Sequence, residues 1–532
     1  MRLRQDIVAG CGIRRPSARL RRSGFGAMMG DRTFNRRAAA RGIAMRRSKL
    51  LLIGSLEAVK RCARSLRVDP RAPSILGGAL LTDARTAAAE WPDRLGRMPV
   101  FGALDALETV LATQFGRPFD AIVVCDTLEP RAVRRRLVER AALLGLSMFR
   151  ADYSGAFTDL RPYSSDDLIG PGALTPNREW LHRLINGRRV LVTGAGGSIG
   201  SQLCLRIAAL SPAKLTLLDS SEYNLFTIHH QLQADYPRLP LMHALCDVRD
   251  QIAVERWFES EQPQIVFHAA ALKQLPMVQC HPSEGVLTNV LGTRVVAQAA
   301  VAAGAHMLLV STDKAVDPTA VMGASKRLAE LYCQALDADL AKSNGPRVMS
   351  ARLGNVLGSA GSVVQIFDRQ IQAGGPVTVT DPDAMRYFIT IPQAADFLLS
   401  AAADSLSVGA MRGAVHVMEM GEPLLIADLA RDMIRLAGQR PDVDIKVSFM
   451  GLRPGEKVSE RLIAADEWVV ERRTASGIFL VKASPRSLRV LDNALDQLIE
   501  SARQRRDDDV RRSLMALASP PDAAADGAAK AG

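Results

Sequence analysis

A chain of 532 residues, 48% of them hydrophobic, exceeds one compact core and divides by length into two or three domains. Its formal net charge of +12 does not mark a nucleic-acid binder, because residues 1–50 carry 13 Arg and one Lys against two Asp and the other 482 residues are neutral overall. No run of about 18 apolar residues occurs, so no bilayer-spanning helix is expected; seven cysteines without a C-x-x-C pair and eight histidines without ligand spacing argue against a disulfide frame or metal site and suit a reducing cytoplasm.

The basic, acid-poor stretch 1–48 reads as a disordered leader, with a targeting peptide, a tail on anionic lipid and a true start at Met45 as other readings. Peripheral membrane contact is expected only through it. From Lys49 the chain alternates strand "KLLLIGS", a helix from Leu56, a Pro/Gly-broken stretch, strand "FDAIVVCD" and the basic helix "PRAVRRRLVERAALLG". This predicts a small Rossmann-like α/β domain over 49–150. Its first turn offers only Gly54, too few glycines for a dinucleotide, and the arginine-rich helix reads as a solvated face. Residues 151–186, with Pro162, Gly170, Pro171, Gly172 and Pro176, read as a connector.

A second βα series runs from 187: "RRVLVTG", "AKLTLLD", "LMHALCD", "PQIVFHAAA" and "HMLLVST" are short apolar strands between helices, the pattern of a doubly wound parallel sheet. After Gly354 the alternation loosens into Gly- and Pro-rich loops suited to a smaller α/β substrate cap, up to about residue 480. A helical segment over 481–519 and a low-complexity, disordered tail over 520–532 close the chain.

"VTGAGGSIGSQL" puts Gly194, Gly197 and Gly200 directly after a strand, with Ser198 and Ile199 opening a helix. Such a turn lets the backbone approach a pyrophosphate at a helix N-terminus. Asp219, 25 residues after Gly194, ends the second strand where a carboxylate holds ribose hydroxyls. Asp247 and Val248 follow the third strand toward the adenine, and Ala269 and Ala270 follow the fourth, where the cofactor needs small residues. No arginine follows Asp219, which favours NAD and leaves NADP open.

With "HAAALKQLPMV", "TNVLGT", "STDKAVDPTAVMGASKRLAE", "ARLGNVLGSAGSVV", "GGPVTVTDPDAMRYFITI" and "GLRPGEK", the stretch from about Gly187 to Leu462 resembles an extended short-chain dehydrogenase/reductase. More narrowly it is similar to the polysaccharide-biosynthesis family of UDP-N-acetylglucosamine 4,6-dehydratases. The large form of that family carries four membrane helices ahead of a Rossmann-like regulatory region; here a region like the latter is kept at 49–150 and the helices are not.

The resemblance implies a sugar oxidised at C4 so that its C5 proton becomes acidic, with Lys314 as C5 base, Asp313 as proton donor to the leaving C6 oxygen and Thr312 holding the C4 oxygen. Lys326 would hold the nicotinamide ribose and lower the proton affinity of Lys314. Met322 stands where short-chain dehydrogenases carry a tyrosine, and Asp313 could take over that proton. Lys273 is expected near the sugar, and Asn355, Arg386, Arg453 and Glu456 near the nucleotide and its phosphates; Asn289 reads as a structural or relay asparagine. A UDP-sugar, no nucleic acid, no metal and a homo-oligomer are the partner expectations. The expected enzyme converts UDP-N-acetylglucosamine with C5 retained, for surface glycans; the rivals are a UDP-sugar 4-epimerase, a C5-inverting dehydratase and a non-catalytic nucleotide-sensing subunit.

Overall fold

The computed structural model describes residues 49–520 except 69–74, 83–91, 113–118, 129, 154–158, 171–173, 175, 408–410, 474–476 and 485. The basic leader, Pro171 and Gly172 of the expected connector, and the tail beyond Pro520 lie outside the described residues.

The N-terminal sheet holds seven strands: β1 (Lys49–Gly54), β2 (Ile75–Leu81), β3 (Arg94–Leu95), β4 (Met98–Ala103), β5 (Ala121–Val124), β6 (Ser147–Asp152) and β7 (Asp159–Pro162). Their order is β3-β4-β2-β1-β5-β6-β7, parallel from β4 to β6 with antiparallel edges. The Pro/Gly-broken stretch thus contains strands that the sequence pattern hides. Gly78 lies in β2 because Phe101 packs there; a Cβ would stand 1.9 Å from its ring.

Two expectations need correction. Residues 151–186 are not a free connector. Their first part completes β6 and forms β7, whose Pro162 sits on the sheet edge where a missing N–H is harmless. Their last part is the helix Arg178–Ile185, whose Leu181, Leu184 and Ile185 join the core of the second domain. Nor is the helix Arg131–Leu143 simply solvated: Arg134 is buried, donating to the carbonyls of Leu128, Leu168 (3.0 Å) and Ile169 (2.8 Å), and Arg135 pairs with Asp428 and Asp432.

The second sheet contains β8 (Arg189–Thr193), β9 (Lys214–Asp219), β10 (Leu241–Leu245), β11 (Ile265–His268), β12 (His306–Thr312) and β13 (Val348–Leu353). Short strands β14 (Asn355–Val356), β15 (Val377–Val379), β16 (Met385–Arg386) and β17 (Phe388–Ile389) precede β18 (Val415–Met418), and β19 (Leu424–Leu425) and β20 (Val447–Phe449) precede β21 (Glu467–Arg473) and β22 (Ile478–Ala483). The sheet order is β10-β9-β8-β11-β12-β13-β18-β22-β21, parallel through β18 and antiparallel beyond. The fold is α/β, doubly wound, with strand order reversing between β8 and β11, so the ligand crevice of such a sheet opens beyond their C-terminal ends.

β14 to β17, β19 and β20 pair off as a small cap with its own core of Val377, Val379, Phe367, Leu429 and Ile434. β22 runs to Ala483, so the closing helical segment begins later than expected, with helices Leu488–Arg503 and Asp507–Ala518 packed on the main core. The helical run Pro282–Ala302 is long and apolar enough by composition to cross a membrane, but it is 72% buried inside the protein, as a core helix is.

Candidate active site

β8 ends at Thr193 and the chain turns through Gly194 (φ 63°) into the helix Ser198–Ala208. A Cβ on Gly194 would meet the Ala270 backbone at 2.7 Å, and one on Gly200 the Gly194 carbonyl at 2.0 Å, so the strand, turn and helix close only with glycine. Gly196, which the spacing argument passed over, is equally confined by Asn224 at 2.5 Å. Gly197 meets only the Gly194 carbonyl at 3.3 Å and faces a cleft of about 660 Å³ that Asp219, Asp247, Val248, Ala269 and Ala270 also line.

Asp219 accepts hydrogen bonds from Gly196 N–H and Ser221 N–H, both at 2.9 Å, which ties the end of β9 to the glycine turn. Each carboxylate oxygen keeps a free lone pair for a hydroxyl donor. Asp247 is clasped by Arg249, which also reaches Glu284 at 2.7 Å; burial works against its charge, but the guanidinium wins and holds the carboxyl below its usual range. Ser198 accepts from Ala360 N–H at 3.1 Å, so the loop after β14 crosses the start of the helix, and Ile199 lines the neighbouring cleft.

Beneath this turn lies a buried polar chain that the sequence did not announce. Thr293 donates to Asn289 O at 2.7 Å, so its oxygen accepts from His268 Nε2 at 3.1 Å, and Nδ1 accepts from Thr193 Oγ1 at 2.7 Å. Desolvation, with Lys326 nearby, pushes the imidazole down to about 3, so it is neutral. Thr193 and His268 face each other across β8 and β11, two polar residues closing otherwise apolar strands, which was the available signal. Asn289 bridges the backbone of Leu272 to Ser325 on the helix Val321–Leu340, the structural part expected of it.

The second cleft, about 620 Å³, shares Ala269 and Ala271 to Gln274 with the first and runs between β12 and the cap. Thr312, Lys314, Met322, Lys326, Lys273, Asn355, Arg386, Arg453 and Glu456 line it. Asp313 does not: its side chain is wholly buried one layer back, its Oδ1 accepting from Thr312 Oγ1 and Lys314 Nζ, both at 2.9 Å, while Oδ2 has no partner. Its reach into the cleft therefore passes through Thr312 and Lys314. Ser311, buried with an unpartnered hydroxyl on the same wall, was not foreseen.

Three expected roles shift. Asn355, expected at the nucleotide, accepts from Lys314 Nζ at 2.5 Å. Arg386 spends both terminal nitrogens on Met385 O (2.7 Å), Val458 O (2.9 Å), Lys457 O (2.7 Å) and Glu456 (3.2 Å), so it builds the loop 453–458 first of all. Glu456 likewise serves that loop, accepting from Thr380 Oγ1 and Arg453 N–H. The Arg453 side chain has no ion pair among the described residues and faces the cleft.

Lys326 is buried, without an ion pair among the described residues, and desolvation lowers it to about 8 against the pull of Glu330 one turn away. A second lysine, Lys273, lies within electrostatic reach of Lys314. Crowding lowers Lys273 although solvent reaches it, and Lys314 lowers it further. Met322 is buried in the cleft wall, where a thioether packs and moves no proton. No group of three or more His, Cys, Asp or Glu among the described residues has the arrangement to hold a metal ion.

A family model described as "Polysaccharide biosynthesis protein" matches residues 190–482. The chain is 40% identical over 311 residues to the capsular polysaccharide biosynthesis protein CapD of Staphylococcus aureus, covering 58% of this chain and 50% of that protein. The chain thus spans about half the length of that relative. It is 31% identical over 287 residues to a UDP-glucose 4-epimerase of Rickettsia canadensis, covering 53% of this chain and 79% of the other. A crystal structure of Pen from Bacillus thuringiensis, 28% identical, matches 57% of this chain and 90% of its own with a TM-score of 0.50.

Proposed function

The chain belongs to the polysaccharide biosynthesis protein family, and from that premise and the geometry of its clefts we propose that it is an NAD-dependent 4,6-dehydratase of a UDP-sugar, UDP-N-acetylglucosamine first among them, serving surface glycan synthesis with C5 retained. The observation that carries the reading is the Thr312–Asp313–Lys314 cluster at the end of β12, opening on a cleft that joins the glycine-turn cleft to the cap. A strand-end ion pair placed elsewhere would carry no such implication.

The residues present fit a dinucleotide: Gly194 and Gly200 form a turn that any Cβ would fill, and Gly197 faces the cleft beside the helix N-terminus. Gly194, Gly197, Ser198, Ile199, Gly200, Asp219, Asp247, Val248, Ala269, Ala270 and Lys326 would hold it, with NADP the less favoured form because Asp219 meets the ribose. NAD supplies, when bound, the reversible removal of hydride from the sugar's C4.

In this reading the C4 hydroxyl donates to Thr312, whose own proton passes to Asp313. Asp313 later returns a proton toward the departing C6 oxygen. Lys314 enters the step as a neutral amine, its extra proton released to solvent in the cleft while two N–H groups stay on Asp313 and Asn355; it takes the C5 proton and gives it back to the same face. Each such positioned transfer is typically worth about 10²–10⁴ in rate. Lys273 and Arg453, without ion pairs among the described residues, would meet the sugar and the diphosphate. An epimerase, suggested by the Rickettsia relative, depends on a tyrosine that Met322 replaces, which supports the dehydratase over it. The described cysteines are free thiols, in keeping with a cytoplasmic enzyme.

The test is incubation of UDP-N-acetylglucosamine with the full chain in D₂O beside Lys314→Ala, read by mass and NMR. The reading requires a product lighter by one water and deuterated at C5, absent from the variant. Unchanged sugar from UDP-N-acetylglucosamine and other UDP-hexoses alike would overturn it.

A further inference from the structure

None of the chemistry above uses residues 49–169, yet they are fastened to the substrate cap. Arg135 reaches two carboxylates on the helix Ile426–Leu436: its Nε stands 2.9 Å from Asp432 Oδ2 and its Nη1 3.0 Å from Asp428 Oδ2. Arg435 of the same cap helix returns the contact, 2.9 Å from Asp432 and 3.4 Å from Glu139. The seam is apolar as well, since Leu436 packs on the N-terminal core and Ile169 on the cap core. Gln393 Nε2 donates to Gly170 O at 2.9 Å beside it.

The helix so held is joined to the substrate cleft at its first turn. Ile426 lines the cleft, and its N–H donates to Ala384 O at 2.9 Å. The preceding β19 pairs with β16, setting Leu424 opposite Arg386. Arg386 in turn holds the carbonyls of Lys457 and Val458, and with them the loop bearing Arg453. A continuous set of contacts therefore runs from Arg135 through Asp428, β19 and Arg386 to the cleft wall expected to meet the diphosphate.

We propose that Arg135 is a positioning residue for substrate binding, and that the N-terminal domain serves as a brace for the cap. Its ion pairs fix the helix Ile426–Leu436, and through β19 and Arg386 they set the loop 453–458. The affinity for UDP rests on reading that cleft as a nucleotide-sugar site; the brace itself does not. Two partly solvated ion pairs are worth about three- to tenfold in affinity. Disturbing them should leave cofactor binding alone, because the glycine turn stands on other elements.

The experiment is hydrogen–deuterium exchange on the full chain, read in peptides covering 424–436, 453–458 and 189–208, with UDP and NAD titrations alongside. Arg135→Glu should exchange faster in the first two regions, match wild type in the third, bind UDP about three- to tenfold more weakly and bind NAD unchanged. Adding Asp428→Arg to Arg135→Asp should restore the protection, and Arg135→Lys should keep part of it. Wild-type exchange at 424–436 and 453–458 in Arg135→Glu overturns the brace whatever binds in the cleft. Failure of the wild type to bind UDP would overturn the substrate reading, and the exchange data would still decide the brace.

Discussion

Arg352 grips Glu330 through two parallel hydrogen bonds, Nε to Oε1 at 2.9 Å and Nη2 to Oε2 at 2.7 Å, with both side chains wholly buried. The same guanidinium reaches both oxygens of Glu467 at 2.6 Å, and Arg327 joins Glu467 and Asp466. The lattice ties β13, which leads into Asn355, to the helix that carries Lys326 one turn before Glu330. Removing one member strands charge in the interior, so Arg352→Ala should lose about 3–5 kcal/mol of stability, read from urea midpoints. A loss under about 1 kcal/mol would mean that water reaches the orphaned carboxylates.

Lys326 sets binding against stability. Its folded value of about 8 lies below the 10.5 of an unfolded lysine. Between those values the unfolded chain binds more proton, so this group makes stability rise with pH there; below about 8 its buried charge is a full cost. At roughly 1.4 kcal/mol per unit, Lys326→Met should stabilise the ligand-free protein at pH 7 by up to about 3 kcal/mol while turnover is lost. Calorimetry beside the turnover assay checks both, and a lower melting temperature would count against the desolvated charge.

What could be read in advance was local. Gly194, Gly197, Gly200 and Asp219 stand a few residues from strand ends, so spacing alone places them. Arg352, Glu330 and Glu467 escaped because their pairing crosses 22 and 115 residues and charged types ordinarily mark surfaces. Arg135 misled for the same reason, its partners lying about 300 positions away. Asp313 and Lys314 were found as a pair, but adjacent residues alternate in direction. Which of the two faces the cleft depends on the turn after β12, where Thr312 caps the Lys314 N–H.

Acid should unfold the protein through His268. Its folded value of about 3 is depressed from 6.5 by burial and Lys326, so the stability tied to its neutrality is complete above about 6.5 and drains as pH falls toward 3. The slope is roughly 1.4 kcal/mol per pH unit for this group. His268→Gln, which keeps a donor and an acceptor between Thr193 and Thr293, should flatten that limb in denaturation midpoints measured from pH 7 to 4. An unchanged slope would assign the acid sensitivity elsewhere.

Gly197 and Gly200 should separate cofactor space from folding space. Alanine at 200 drives a Cβ to 2.0 Å from a backbone carbonyl that cannot turn aside, so Gly200→Ala should cost about 1–3 kcal/mol of stability. At 197 the nearest atom is 3.3 Å away and the new methyl projects beside the cleft, so Gly197→Ala should melt near wild type yet weaken NAD. Thermal shifts with and without NAD distinguish the two. Equal NAD stabilisation of wild type and Gly197→Ala would exclude this turn as the pyrophosphate site.

Asn355 decides between two readings of the same side chain. Held 2.5 Å from Lys314 Nζ, it shares the ammonium with Asp313 and fixes the direction in which the amine points. If it aims the base, Asn355→Ala should lower kcat about ten- to a hundredfold, the scale for misplacing a reacting group by an ångström, while KM stays near wild type. C5 deuterium incorporation should fall in parallel with turnover. Had the residue served the nucleotide phosphates, as its motif suggested, uniform binding would be lost and KM would rise at constant kcat. Asn355→Asp separates the cases again: an added anion beside Lys314 holds the lysine's proton more firmly and slows the C5 step, whereas beside a diphosphate it repels the substrate and appears in KM.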